Sequence, residues 1–284
     1  MAKSPHSNPL PWPSAPGDLP RSFAVREDLE ALLTTLFPTS QGPLSPIRGG
    51  RIAAERQLEQ LNAKHYRHSR SYIDGAATRL SPFIRHGVLT LAEVRNTVFR
   101  QLRQHRDDGA KLINELGWRD FWQRVWQNLE DGIWEDREEY KTGYDSSSYS
   151  YCLPRDVRDG HTGLACIDAF QEELVTTGWI HNHARMWLAA YVVHWRRVHW
   201  RVGARWFLEH LLDGDPSSNN LSWQWIASSF SQKPYIFNRQ SLERFSSGRF
   251  CGKCKVQDHC PFDASYEHLQ QKLFQPQDNI CTSE

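Results

Sequence analysis

Apolar residues recur at three- and four-residue spacing along most of the chain, and no segment alternates convincingly, so the pattern predicts helices and not strands. A short amphipathic helix is expected over 24–37, stopping at Pro38, followed by a Pro/Gly/Ser connector over 39–50. Residues 51–65 and 91–106 carry the helical period again. Over 111–130, Leu112, Leu116, Trp122, Trp126 and Leu129 fall close to one stripe, which predicts a helix face buried in a core. The tract 135–163 is polar, rich in tyrosine and loop-like. A long helical region is expected over 167–199, broken near Thr177-Gly178, with another helix over 203–212 and a loop over 213–220. Residues 1–20 are proline-rich and read as an irregular arm. No internal repeat is visible, and the fold class predicted is all-α.

Composition narrows the classes. A chain of 284 residues can bury a substantial core as one large helical domain or two small ones. The formal net charge is only +1, so any nucleic-acid contact needs a local basic face, for which 64–70 (KHYRHSR) and 194–205 are candidates. No apolar run approaches the roughly 20 residues of a membrane span. The N-terminus lacks the apolar stretch of a secretory signal, so the expectation is a soluble cytoplasmic protein with no membrane partner. Six cysteines in that setting are metal ligands or free thiols before they are disulfides.

The densest chemistry lies in two segments, 177–186 (TGWIHNHARM) and 213–225 (DGDPSSNNLSWQW). Two carboxylates one residue apart, adjacent asparagines, an arginine and two indoles exceed what a helical core needs. Such a set can grip a polar ligand along one edge while indoles close over its faces.

These segments resemble the flavin site of the photolyase/cryptochrome family, and other motifs of that family follow in colinear order over about 50–240. Tyr66 and Arg70 resemble its phosphate-touching tyrosine and DNA-meeting arginine. Thr78-Arg79-Leu80-Ser81 resembles its pyrophosphate loop, and Asn114-Glu-Leu-Gly-Trp-Arg119 its Asn-Glu-Leu-x-Trp-Arg helix. The resemblance implies that Arg119, Asn182, Arg185, Asp213, Asp215 and Asn219 surround FAD. It further implies that Glu115, Trp118, Asn182, Met186 and Trp225 meet a damaged pyrimidine dinucleotide extruded from UV-damaged DNA. Blue-light repair of cyclobutane pyrimidine dimers is the activity expected, because neither Asn182 nor Met186 is the histidine found in members acting on (6-4) photoproducts. His183 stands where an arginine is usual at the DNA edge, which makes a signalling flavoprotein of cryptochrome type the alternative, as well as a weaker, single-strand-preferring enzyme. Trp223 and Trp200 match the inner and middle members of the family's electron-feeding tryptophans. The outer one has no counterpart, and Tyr149 or Tyr151 is the substitute.

The spacing Cys251-x2-Cys254-x5-Cys260-Pro261 can converge on one metal, and a closed site then needs a fourth ligand. Zinc with a histidine such as His259 is the generic reading. By resemblance to the iron–sulfur bacterial photolyases and cryptochromes, the expectation is a [4Fe–4S] cluster on Cys166, Cys251, Cys254 and Cys260, with Cys152 the rival fourth ligand and Cys281 a free thiol. The domain reading is an N-terminal arm over 1–48, a helical FAD-binding domain over 49–245 and an iron–sulfur extension over 246–284. The family's antenna domain is not expected, nor an antenna chromophore, and the chain is expected to be a monomer.

Overall fold

The computed structural model describes residues 20, 23–38, 44–103 and 106–274. Cys281 lies outside them, as does most of the proline-rich arm. The described residues form helices α1 (Arg26–Leu36), α2 (Arg51–Glu59), α3 (Ala63–Ser69), α4 (Ser81–Arg85), α5 (Leu91–Leu102), α6 (Ala110–Leu129) and α7 (Arg155–Arg158). The second half adds α8 (Ala165–Thr177), α9 (Asn182–Ala190), α10 (Trp200–His210), α11 (Pro216–Ala227), α12 (Arg239–Phe245) and α13 (Tyr266–Leu273). No strand forms among the described residues; a single parallel bridge joins Ser150 to Val198. The fold is all-α. None of these helices is long and apolar enough to cross a membrane.

The chain divides into two units, residues 1–44 and 45–284. In the first, α1 has no buried residue.

Several expected elements have different bounds, for local reasons. The helix expected over 51–65 is two, because the Asn62 side chain accepts from the His65 amide and starts a new helix. Helix α5 opens on a capping box of Thr90 and Glu93 and ends at Leu102, short of the expected 106. The break near Gly178 is present: Gly178 has φ 71° between α8 and α9, and a Cβ there would stand 2.7 Å from Leu212. Helix α9 runs on into a π-helical turn, Tyr191–Trp195, and α10 then begins at Trp200, three residues earlier than expected.

Two corrections bear on the site. The stripe on α6 is not a buried face: only Leu112 is buried, and Leu116, Trp122, Trp126 and Leu129 are partly open. The expected loop over 213–220 is in fact mostly helix. Asp215 caps α11 by accepting from the Ser218 amide at 2.9 Å, and Pro216 occupies the first turn, where a missing N–H costs nothing.

The main core joins α8, α9, α10 and α11 around Phe170, Trp187, Trp200 and Trp223, and the C-terminal segment enters it through Phe237, Cys251 and Phe262. A second core, with Leu80, Leu89, Val98 and Leu112, lies under α2 to α6. Each fully buried side chain of this size contributes about 1.5–3 kcal/mol, enough to fix how α6, α9 and α11 face one another.

Candidate functional site

Between α6, α9, α10 and α11 lies a cavity of about 680 Å³, in the size range of a cofactor site. Its wall gathers eleven residues singled out in the sequence: Ser81, Trp118, Arg119, Asn182, Arg185, Met186, Asp213, Asp215, Asn219, Trp223 and Trp225. They come from four helices and one turn, so their convergence is a product of the fold.

Charge is arranged in two layers. Arg185 Nη2 lies 3.0 and 2.8 Å from the two oxygens of Asp213, and its Nε donates to the Ile180 carbonyl at 3.0 Å. Asp213 is 6% exposed and Asp215 3% exposed. Asp215 accepts from Gln123 Nε2 at 2.8 Å as well as from Ser218, so both oxygens serve the protein. Arg119 makes no ion pair or hydrogen bond among the described residues. Burial pulls its guanidinium below the ordinary pKa, while Asp215 and Asp213 pull the other way. It is the wall's uncommitted cation. Asn219 donates from Nδ2 to the Ala204 carbonyl at 2.9 Å and to Asn220 Oδ1 at 3.2 Å, which leaves Oδ1 for a ligand.

The indoles divide by depth. Trp223 is 2% exposed and packs edge-on against Phe207 at 4.9 Å. Trp118 and Trp225 are 51% and 44% exposed at the mouth, the first stacked on Trp122 at 5.5 Å and the second tilted against Tyr235 at 5.5 Å. On α9, Asn182 Nδ2 points to Met186 Sδ at 3.5 Å, one turn along, so both face the cavity together.

Other expected residues stand away from this wall. Thr78, Arg79 and Leu80 form a turn in which Arg79 has φ 53° and lies over the Trp179 ring at 4.6 Å; Leu80 is buried, and only Ser81 reaches the cavity, held by Trp179 Nε1 at 3.3 Å. Glu115 forms a separate cluster with Arg70 at 3.4 Å and Lys111 at 2.8 Å, and Arg70 lies 5.9 Å over the Tyr66 ring. Burial and the Glu115 charge push the Tyr66 phenol up. The His183 ring is stacked between Trp187 at 5.4 Å and Phe245 at 5.0 Å, and Nδ1 is hydrogen-bonded to the Ser71 carbonyl. Burial lowers its pKa. Trp200 is fully buried, with its indole N–H donated to Asp136.

Some residues that brace the wall carry no signal in the sequence reading. Gln123, one turn beyond Arg119 on α6, holds Asp215 from behind the wall, and that helical spacing could have flagged it. Arg85 fixes the turn between α10 and α11 by donating to the Gly214 carbonyl at 2.7 Å, and nothing local in the sequence signals that. Conversely, Asn220 and Gln224 are fully buried and bind the Ile133 carbonyl, so these amides belong to the scaffold.

A second cavity is lined by Cys166, Cys251, Cys254 and Cys260 together, with Arg239 and Phe262. All four are free thiols; Cys152 is exposed and not part of that wall. Burial raises the Cys166 thiol strongly, and burial pushes Cys251 up to about 11. Among the described residues, no group of three or more His, Cys, Asp or Glu is close enough to hold a single metal ion.

The larger cavity therefore offers a free guanidinium, an amide oxygen, a serine hydroxyl and flat aromatic walls, a donor set that fits a long ligand with anionic and planar parts. Comparison with known proteins agrees. Residues 112–250 match the family described as the FAD binding domain of DNA photolyase. The deoxyribodipyrimidine photo-lyase of Streptomyces griseus is 35% identical over 190 residues, covering 65% of this chain and 40% of that protein. The class III photolyase of Agrobacterium tumefaciens superposes with a TM-score of 0.62 at 24% identity, covering 85% of this chain and 55% of that one. The Synechocystis cryptochrome gives the same score at 23% identity, covering 75% and 47%. At those identities the two structures speak to the fold alone. This chain spans less than half the length of the Streptomyces relative.

Proposed function

The chain carries a flavin-binding domain of the photolyase/cryptochrome family, and from that premise we propose that it is an FAD-dependent lyase that repairs cyclobutane pyrimidine dimers in DNA under blue light. When bound and reduced, FAD supplies the excited electron that opens the cyclobutane ring. The chain's own groups do the rest. Arg119 and Ser81 hold the anionic part of the cofactor, the Arg185–Asp213 pair and Asn219 hold its polar edge, and Trp223 walls its planar face. Asn182 and Met186 lie on the side open to a lesion.

The observation that carries the reading is the pair of half-exposed indoles, Trp118 and Trp225, at the mouth of a cavity whose floor is polar and buried. Exposed indoles are costly to leave in water, and two at one opening suit the faces of bases extruded from a strand. A damaged pair is the cheapest to extrude, because it already stacks and pairs poorly. Arg70 and Lys111, both paired with Glu115, outnumber its single negative charge and leave a positive spot where phosphates can be met. The decisive experiment is to incubate reduced, flavin-loaded protein with a dimer-containing oligonucleotide under blue light, single- and double-stranded, and measure recovered thymine absorbance. Recovery supports the lyase.

One observation favours the alternative, a light receptor without repair. The His183 ring is stacked between two aromatic side chains and lacks the positive charge of an arginine at that edge. Flavin photoreduction with no thymine recovery on either strand form would select that reading.

For the cysteine cavity the proposal is a [4Fe–4S] cluster held by Cys166, Cys251, Cys254 and Cys260, in an extension over 246–284. A zinc site needs its thiolates on one ion at about 2.3 Å, whereas a cubane takes one thiolate per iron at its corners and wants them spread. Four thiols lining one cavity supply one thiolate for each iron of a cubane. The cluster's role there is to fasten the C-terminal segment to α8.

A further inference from the structure

Helix α12 opens on Arg239, and this one residue ties down the segment that carries three of the four cavity cysteines. Its Nε donates to Glu243 at 3.0 Å, one turn along the helix. Its Nη1 donates to the Gln257 carbonyl at 2.9 Å and to Asp263 Oδ2 at 3.0 Å. Its backbone N–H donates to the Phe262 carbonyl at 2.8 Å, and the preceding Asn238 donates from Nδ2 to the Ala264 carbonyl at 3.3 Å. Gln257 and Phe262 bracket Cys260 in the chain. All of these bonds except the one to Glu243 therefore fix the cysteine segment and not the helix.

Stability alone does not account for the arrangement. The side chains of Arg239, Glu243 and Asp263 are 24%, 40% and 59% exposed, and ion pairs this open to water contribute little. Position accounts for more. Arg239 is the only basic side chain among the described residues that line the cysteine cavity, where it shares the wall with all four thiols. Nε and Nη1 are committed, while Nη2 makes no hydrogen bond among the described residues. Much of the remaining wall is apolar, with Leu164, Leu242 and Phe250, so a charge there is screened less than on open surface. Burial raises the Cys251 and Cys260 thiols, and the Arg239 charge opposes that rise at both. Four thiolates around a cubane leave a net negative charge, and a cluster's potential follows its net charge and the hydrogen bonds to its sulfurs.

We infer that Arg239 is the positioning residue of the cysteine cavity: its planar fork fixes the 251–263 segment around the cluster, and its charge sets the cluster's reduction potential. The inference rests on the reading of that cavity as a [4Fe–4S] site. Its two parts separate by chemistry. The clasp needs three hydrogen bonds from one rigid guanidinium, which lysine cannot reproduce, whereas the potential needs only a positive charge, which lysine keeps. Reduction adds one electron and makes the cluster more negative. A nearby cation therefore favours the reduced form and raises the potential, and a nearby carboxylate such as Glu243 lowers it.

The test uses full-length protein purified without oxygen and titrated at one pH with dithionite and redox mediators, the reduced cluster being followed by electron paramagnetic resonance. Arg239→Gln should move the midpoint to a more negative potential and Glu243→Gln to a less negative one, while Arg239→Lys stays at the wild-type value. Thermolysin, which does not need basic residues, should cut the segment after Phe245 faster in Arg239→Lys and Arg239→Gln than in wild type. Glu243→Gln should be cut at the wild-type rate, because the amide oxygen still accepts from Nε. If Arg239→Gln holds no iron, the midpoint of Glu243→Gln decides the electrostatic part. Midpoints that do not move with charge overturn that part, and equal cutting of all four proteins overturns the clasp. Wild-type protein without iron or sulfide overturns the cluster reading and the potential with it, whereas the cutting comparison needs no metal and still judges the clasp.

Discussion

Gly203 on α10 faces the Trp223 ring so closely that a Cβ at that position would stand 2.2 Å from the indole. The glycine is there for the neighbour and not for its backbone, since alanine is the better helix former by about 1 kcal/mol. Gly203→Ala must push Trp223, and the space open to it is the cavity. We expect the variant to fold, with an unfolding free energy within about 2 kcal/mol of wild type, because overpacking and helix gain oppose each other. Its FAD affinity should fall by about tenfold, equivalent to about 1.4 kcal/mol. Flavin fluorescence titration reads this directly, and unchanged affinity would show that Trp223 does not wall the cofactor.

Arg185 and Asp213 form the half-buried ion pair of the cavity floor, with side chains 25% and 3% exposed. Removing the arginine strands a carboxylate that has no other cation at contact distance, and a broken buried pair costs about 3–5 kcal/mol. Arg185→Met should therefore lower stability by an amount near the bottom of that range, given the arginine's partial exposure, and abolish FAD retention. Arg185→Met combined with Asp213→Asn should recover part of the stability and none of the cofactor. Urea unfolding of the four proteins in the cycle separates the two effects.

What the sequence made legible follows from how the site is built. Asn182, Arg185, Asp213, Asp215, Asn219 and Trp223 come from two continuous segments, so local density alone singled them out, and all six line the cavity. Gln123, Arg85 and Gly203 act on that wall through partners in other helices or turns, distant in sequence, which no local pattern encodes. The stripe on α6 is not one buried face because period reports an apolar side without reporting what faces it: Leu112 and Leu116 pack on the second core, while Trp122 lines the open cavity and stays partly in solvent. The 213–220 segment was misread because Asp-Gly-Asp-Pro looks like a turn, whereas Asp215 and Pro216 are the cap and first residue of α11. Tyr66, Arg70 and Glu115 were placed beside a ligand by resemblance, and they form a charged cluster off the cavity wall.

Acid should destabilise the protein through buried histidines. Burial first, then the neighbouring His183, depresses His181 to about 4, and its Nδ1 is committed as acceptor to the His183 amide. The unfolded chain binds that proton near pH 6.5, so it takes up protons that the folded form refuses. Stability is complete above about pH 6.5 and declines as pH falls toward about 4, by something on the order of 3 kcal/mol for this group. His194, fully buried and depressed to about 4 by burial, has the same sign. His181→Asn keeps a capping acceptor and removes the titration, so its urea midpoint should fall less than wild type between pH 7 and 5. Identical slopes would place the acid sensitivity elsewhere.

The cysteine cavity makes a compositional prediction. Protein prepared without oxygen should contain iron and acid-labile sulfide, and Cys254→Ser should lose both while Cys152→Ser keeps them. Since Cys251 and Phe262 sit in the main core, stripping the metal should also expose the segment after Phe245 to protease before the rest of the fold opens. Zinc in place of iron would overturn the cluster, and so would metal retention in Cys254→Ser.

Trp118 and Trp225 are the mouth of the cavity, and their predicted effect is separable from that of its floor. Stacking of a base on an aromatic side chain is worth about 1–3 kcal/mol. Trp118→Ala and Trp225→Ala should therefore each weaken binding of a dimer-containing oligonucleotide by about tenfold or more. Flavin content should stay at the wild-type level, because the residues proposed to grip the cofactor, Arg119, Asp213 and Asn219, make no hydrogen bond or ion pair with either indole. The phenylalanine variants should restore most of the affinity, a flat ring sufficing for a stack. Trp225 rests against Tyr235 at 5.5 Å, so Tyr235→Ala should reproduce a weaker form of the Trp225→Ala defect by letting the indole swing. An alanine variant that lost flavin and DNA together would move that indole from the lesion to the cofactor. One that lost neither would leave the proposed lyase reading without its binding surface.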